Sequence, residues 1–314
     1  MLRHAGGRAA QLVPTLIGMS ILIFVLVRLL PGNALQVVAG DAGSNPQAVA
    51  AAKAQLGLNE SLVAQYWHFL SGFFTGDLGK SYLSGQNVAS ILGRAIPITL
   101  ELTILATVFA VVVGVPLGIL SATRRNSSSD ILSRIGGLIG LSFPNFWLAT
   151  VLLLITSTYF HWEPSVTWIP FWDDLGANLV QMAMPAFAVS LYLLAAVMRM
   201  TRTSMLEVLG EDFVRTAWAK GAGRRRVLWS HALLNAHIPD VTLIGAQIGN
   251  LMSGSTVVEV VFGLPGVGNT LVSATYNRDY PVVEATAVFL AAVFVVLNLV
   301  VDLLYGVLDP RIEV

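Results

Sequence analysis

The chain has 314 residues, 55% of them hydrophobic and 11% charged, with a mean hydropathy of +0.72. Soluble domains carry about 25% charged residues, so this composition excludes an ordinary soluble globular protein and indicates a polytopic membrane protein. The 18 Lys and Arg balance the 18 Asp and Glu, so net charge points to no partner, and the absence of cysteine excludes disulfides, thiolate metal sites and cysteine nucleophiles.

Six apolar runs of spanning length are readable in chain order, over residues 12–30, 98–122, 135–160, 179–200, 239–262 and 283–308. About 20 apolar residues cross the hydrocarbon core, and backbone in lipid must satisfy its own hydrogen bonds, so each run predicts a helix. The first run follows Arg3 and Arg8 and imitates a signal peptide. It is too long for the apolar segment of one and is followed by no clear small-x-small cleavage site, so a retained helix is expected.

Residues 31–94 form a polar insertion after the first run. Asn45-Pro46 supplies a cap and a first-turn proline for a helix that Gly57 would stop. A second helix is expected over 62–74, carrying Tyr66, Trp67, Phe69, Phe73 and Phe74. These aromatics suit either a membrane–water interface or packing against other helices. Further on, Gly114 and Gly118, Gly136 and Gly140, and Gly245 and Gly249 are spaced one turn apart, which lets helix backbones approach closely in lipid. Pro116, Pro144 and Pro185 each free a carbonyl inside an apolar run and predict kinks.

Residues 211–239, reading EDFVRTAWAKGAGRRRVLWSHALLNAHIP, are polar and strongly basic yet helical in pattern. Asp212 is placed to cap a short helix. Phe213 and Ala217, and Val214 and Trp218, share faces at i, i+4. Gly221 and Gly223 are expected to end it in left-handed conformations. About ten residues span ~15 Å, too short to cross a bilayer but suited to a groove on another protein. Taken alone, the segment also reads as a solvated basic loop.

Orientation follows from Lys and Arg. With the N-terminus inside, the inner segments hold Arg3, Arg8, Arg124, Arg125, Arg134, Arg199, Arg202, Arg215, Lys220, Arg224, Arg225, Arg226 and Arg311; the outer side keeps Arg28, Lys53, Lys80, Arg94 and Arg278. This positive-inside bias places both termini and the 211–239 segment in the cytoplasm and the 31–94 insertion outside.

Arg215-Thr216-Ala217, Ala219-Lys220-Gly221 and then His231-Ala232-Leu233, Asn235-Ala236 and Pro239 resemble the ATPase-coupling loop of ABC-importer permeases, in their dipeptide/oligopeptide/nickel branch. Arg215-Thr216-Ala217 stands where the general importer pattern has Glu-Ala-Ala, and Trp218 where the branch often has Arg. The resemblance runs along the whole chain, through Pro31-Gly32, Leu56-Gly57-Leu58, Gly76-Asp77-Leu78-Gly79, Met198 to Arg202, Ser204 to Asp212, Pro265-Gly266, Arg278 to Val283 and Asp302 to Arg311. Asn33 replaces the acidic residue common after Pro-Gly.

The resemblance implies an all-α inner-membrane permease of the type I importer class, multi-pass, with six transmembrane helices. Its expected parts are helix 1 with the outer-side insertion (1–94) and a transmembrane domain of helices 2–6 (95–314) with a cytoplasmic coupling loop (204–239). Glu211, Asp212, Arg215, Thr216, Ala217, Lys220 and Gly221 would contact the ATPase. A related second permease, two cytoplasmic ATPase subunits or domains and an extracytoplasmic peptide-binding protein are the implied partners, besides membrane lipid. ATP and Mg would sit on the ATPases, with no cofactor in this chain and no nucleic acid involved. Di- or oligopeptides are the expected cargo, with nickel complexes or another small solute as the alternative. No substrate-binding residues are assigned.

Two segments imitate phosphate-binding loops. Gly79-Lys80-Ser81 has Phe74 in place of the leading glycine, and Gly263 with Gly268-Asn269-Thr270 has Asn269 in place of the lysine. Neither is expected to bind nucleotide. An ion-coupled transporter would need carboxylates near mid-membrane, whereas Glu101, Glu259, Glu284 and Asp302 fall near helix ends, where water is expected to reach them. The five histidines show no metal-ligand spacing, His231 and His237 reading as structural, and no Gly-x-Ser-x-Gly marks a hydrolase. No catalytic or metal-binding residue is assigned.

Overall fold

A computed structural model describes residues 2–29, 59–163, 165 and 167–308. Its helices are α1 Leu2–Leu29, α2 Leu62–Thr75, α3 Val88–Thr123, α4 Ser128–Ser142, α5 Asn145–Phe160, α6 Leu175–Val208, α7 Asp212–Ala219, α8 Arg224–Arg226, α9 Leu233–Ala236, α10 Ile238–Phe262, α11 Val267–Tyr276 and α12 Tyr280–Leu308, with a π-helical turn Val227–Ala232 joining α8 to α9. Five of the helices are long and apolar enough to cross a membrane, and α4 with α5 makes a sixth span if the pair counts as one. The expected helix opened by Asn45-Pro46 and stopped by Gly57 lies outside the described residues, as does the side chain of Asp302.

The third apolar run corrects its expectation. Read as one helix over 135–160, it is broken at Phe143-Pro144 into two helices bent by 101°. Pro144 has no N–H to give and its ring disfavours helical backbone at the preceding residue, so Phe143 is extended, at φ −91° and ψ 131°. Phe143 and Trp147 stack across the bend with centroids 4.6 Å apart. Pro116 and Pro185, by contrast, sit within continuous helix. Two other runs extend beyond their apolar stretch because polar residues cap them: Asn87 Oδ1 accepts from the Ala89 amide (2.8 Å) before α3, and Asp174 Oδ1 from the Ala177 amide (3.0 Å) before α6.

The chain packs as two compact units. One comprises Met1–Thr99 with Pro265–Val296. Its core gathers Val27, Val88, Leu92, Ala95, Val267, Val282 and Ala285. Helix α2 starts at Ser61, whose hydroxyl accepts from the Ala64 amide, and stops at left-handed Gly76 (φ 76°). Its aromatics divide into a packed and an exposed set. Tyr66 packs edge-on against Phe24 and bonds Ser20, and Phe69 meets Phe73 edge-on, while Trp67 and Phe74 stay exposed. Glu284 is a correction: it is buried and ion-paired with Arg28, whose guanidinium also covers the Phe24 ring. Lys80, in the segment that imitates a phosphate loop, forms an isolated strand bridge with Asn87. The next residue, Ser81, donates its hydroxyl to Asp279 (2.5 Å).

The other unit comprises Leu100–Leu264 with Leu297–Val314, and α6 packs there against α4, α5 and α10. A Cβ on Gly114 would lie 3.0 Å from the Leu194 carbonyl oxygen, and one on Gly118 2.7 Å from that of Met198, so this glycine pair seats α3 directly on α6. On α4 the tight pair is Gly137 and Gly140 rather than Gly136 and Gly140, for Gly136 faces open space. Glu259 is fully buried and accepts from Ser255 (3.1 Å), and Glu101 accepts from Asn178 (2.5 Å) and Trp168 (3.1 Å). The full burial of Glu259 corrects the expectation that water reaches it, whereas Glu101 is half-buried.

Candidate functional site: a short exposed helix on a buried polar base

Helix α6 runs on past its apolar stretch to Val208, so the segment after it starts from continuous helix. A tight turn follows, in which the Gly210 amide bonds the Glu207 carbonyl and the Glu211 amide that of Val208. The eight-residue helix α7 comes next. Glu211, not Asp212, is its cap residue, and its side chain makes no capping bond; Asp212 is the first helical residue. The acidic side chain there still favours the helix N-terminus electrostatically.

Val214 is fully buried, whereas Phe213 (44% exposed) and Trp218 (45% exposed) keep large apolar surfaces outside. Val214 thus fastens the helix, while Phe213 beside it and Trp218 one turn on leave aromatic surface exposed. Asp212 and Arg215 form an exposed ion pair (3.3 Å), and Thr216 donates its hydroxyl to the Asp212 carbonyl (2.9 Å). Ala217 is half-buried and its carbonyl accepts from the Ala222 amide (3.2 Å), while Lys220 is exposed and bonds back to Thr216 through its amide (3.0 Å). Gly221 adopts φ +76°, as its expected role requires; a Cβ there would meet no neighbour but would strain the backbone. Gly223 differs from expectation: at φ −66° and ψ 149° it is extended and opens α8 instead of closing α7. All seven residues singled out from the sequence therefore lie along one short element and its two turns.

The returning limb of the loop carries Arg224–Arg226 and the π-helical turn, a form that recurs at functional sites. Ala232 and Ala236 bury against Ile119, Ala122 and Met205, which fixes this return to the ends of α3 and α6.

Six residues before the end of α6, Arg202 enters a buried polar base that the sequence alone did not disclose. Asp130, 0% exposed, accepts from Arg202 Nε (2.8 Å) and a terminal nitrogen (3.1 Å), from the Ser121 hydroxyl (2.6 Å) and from the Asn126 amide (3.0 Å). Both carboxylate oxygens are satisfied, and the fork of the guanidinium suits a bidentate grip. Nearby on α6, Thr201 donates to Asp240 Oδ2 (2.9 Å), joining α6 to the first turn of α10. The turn between α3 and α4, the end of α6 and the start of α10 are thereby tied by buried polar contacts. The only hint in the sequence was the presence of charges at the margins of apolar runs.

Among the described residues, five or six helical spans with a short exposed helix between two of them define a polytopic membrane protein. The family model described as "Binding-protein-dependent transport system inner membrane component" matches residues 114–314, and that for the N-terminal part of such components matches residues 1–103. The chain is 39% identical over 333 residues to the dipeptide transport system permease protein DppB of Alkalihalophilus pseudofirmus, covering 100% of both. It is 39% identical over 336 residues to DppB of Escherichia coli K12, covering 100% of this chain and 99% of that one. A putative peptide transport system permease protein of Brucella suis is 38% identical over 306 residues, 98% of this chain and 97% of its own. The chain belongs to the family of inner membrane components of binding-protein-dependent transport systems: it is a multi-pass permease subunit that works within an ABC-type import assembly.

Proposed function

We propose that this chain is one of two related permeases of a peptide importer, and that α7 is the element through which ATPase subunits drive it. The observation that carries the reading is the placement of α7: a helix too short to span, aromatic on its exposed surface and delivered by the end of α6. The names of its full-length relatives support peptides as cargo. Both termini and α7 face the cytoplasm in this reading, supported by the excess of Lys and Arg on that side. Two cytoplasmic ATPase subunits hold ATP and Mg, the chain itself binds no nucleotide, and an external peptide-binding protein delivers substrate.

ATP-driven closure of the ATPases moves both coupling helices together. The buried base passes that displacement to α3, α6 and α10 as a rigid-body rearrangement between inward- and outward-open states. ATP binding energy biases the two states; no covalent chemistry in this chain is required.

The test combines two readouts on the assembled complex. Ala217→Arg with Gly221→Val places a charge in the contact and strains the turn, so the permease should reach the membrane at normal levels while ATPase association weakens and dipeptide uptake is lost. Wild-type uptake by this double variant would remove α7 from the mechanism. A cysteine at Ser230, on a cysteine-free background, should be labelled only after permeabilisation; labelling in intact cells would reverse the orientation.

A further inference from the structure

Within the second unit, Asn145, Tyr192, Gln247 and Asn250 line a cavity of about 270 Å³ together with Leu193 and Leu251. The polar residues come from three helices, and each lies near the middle of its span. Asn145 opens α5 at the 101° break of the third span. Tyr192 is the eighteenth of the 34 residues of α6. Asn250 is the thirteenth of the 25 residues of α10, and Gln247 lies one turn before it. Convergence of polar side chains from separate helices at mid-span is costly against lipid, because amides without partners lose several kcal/mol in hydrocarbon. It is favourable where the surface they line is wet or carries a polar solute.

The chemistry of the lining narrows the solute. Asn250 Nδ2 donates to Gln247 Oε1 (3.0 Å), which leaves the Asn250 oxygen and the Gln247 amino group for another partner. Tyr192 is 43% exposed and adds a phenolic donor and acceptor. No lining residue carries a full charge. Neutral donors and acceptors set side by side match a peptide group, which offers one N–H and one C=O whatever its side chain. At about 30 Å³ per water, the volume corresponds to roughly nine waters, suiting a short stretch of extended backbone with its hydration.

We propose that Asn145, Tyr192, Gln247 and Asn250 form a mid-membrane contact site for the backbone of the passing peptide. The site selects for peptide groups and is indifferent to peptide side-chain charge. This rests on the peptide-importer reading above and adds to it a place and a recognition chemistry.

The test uses the full complex with its binding protein, reconstituted in vesicles, and measures the ratio of Ala-Lys to Ala-Glu uptake. Asn250→Asp should raise that ratio about fivefold or more and Asn250→Lys should lower it comparably, because a fixed charge at a lined contact attracts one peptide and repels the other. Gln247→Glu and Gln247→Lys give the same pair of opposed shifts if either Asn250 variant fails to insert. The binding protein is unchanged throughout, so an opposed shift originates in the membrane. An unmoved ratio, a shift of the same sign in both variants of a pair, or loss of both peptides in all of them would overturn the site. Normal wild-type dipeptide uptake with any of those outcomes defeats the cavity alone. No dipeptide uptake by the wild-type assembly defeats the importer reading, and the site with it.

Discussion

The Arg202–Asp130 and Arg215–Asp212 pairs join the same two residue types in one unit, yet their surroundings set them apart. In the first, the carboxylate is 0% exposed, gripped at two oxygens by the guanidinium and bonded further by Ser121 and Asn126. In the second, a single contact of 3.3 Å joins an arginine and an aspartate whose side chains are 73% and 95% exposed. A buried charge left without its partner is costly, so the inner pair makes the base behave as one piece. Solvent screens the outer pair, which holds little. The protein thus keeps its strong electrostatics in the buried frame and its weak electrostatics on the exposed helix α7.

The largest effect should come from removing one half of the inner pair. Asp130→Ala leaves Arg202 with an uncompensated charge, at a cost of about 3–5 kcal/mol. A large fall in membrane level or thermal midpoint of the solubilised chain is expected. Asp130→Leu combined with Arg202→Met should recover much of the loss; no recovery would mean that the pair does more than compensate its own burial. Next in size is Gly118→Val, which forces a side chain into the contact between α3 and α6 and should cost about 1–3 kcal/mol by overpacking. An unchanged midpoint would show that the two helices separate easily.

Gly221→Val should cost about 1–2 kcal/mol of backbone strain confined to the loop. The expected result is a nearly normal level in the membrane with reduced ATPase co-purification, the opposite pattern to Asp130→Ala. Equal loss in both assays would erase the distinction between frame and docking element. Smallest of all, Asp212→Asn should leave the thermal midpoint unchanged and alter only the salt dependence of ATPase association. A clear loss of stability would show that the outer pair is structural after all.

What was legible in the sequence follows from the range of each interaction. The spans are written in local apolar runs, and the short helix α7 in a local i, i+4 pattern closed by Gly221, so both elements were readable. The caps at Asn87 and Asp174 are local too, yet they lie beyond the apolar runs and were missed there. Phe143-Pro144 announced a kink, but its depth depends on what packs around it, and a break of 101° is not encoded in two residues. The assignment of the α7 cap slipped by one residue because Glu211 and Asp212 are both acidic and neither was compelled by an apolar anchor. Glu259 and Glu284 were read as wet because position along a helix does not disclose what faces it. Asp130 and Arg202 are 72 positions apart, and no local pattern connects them.

The length of α6 has a mechanical consequence. At 1.5 Å per residue a helix of this size is about 51 Å long, so a rocking of about 5° around its midpoint swings each end by roughly 2 Å. Tyr192, close to that midpoint, would scarcely move. A seesaw of this kind delivers its full travel to the turn that carries α7, while the polar side chains at its fulcrum keep nearly the same spacing in either tilt.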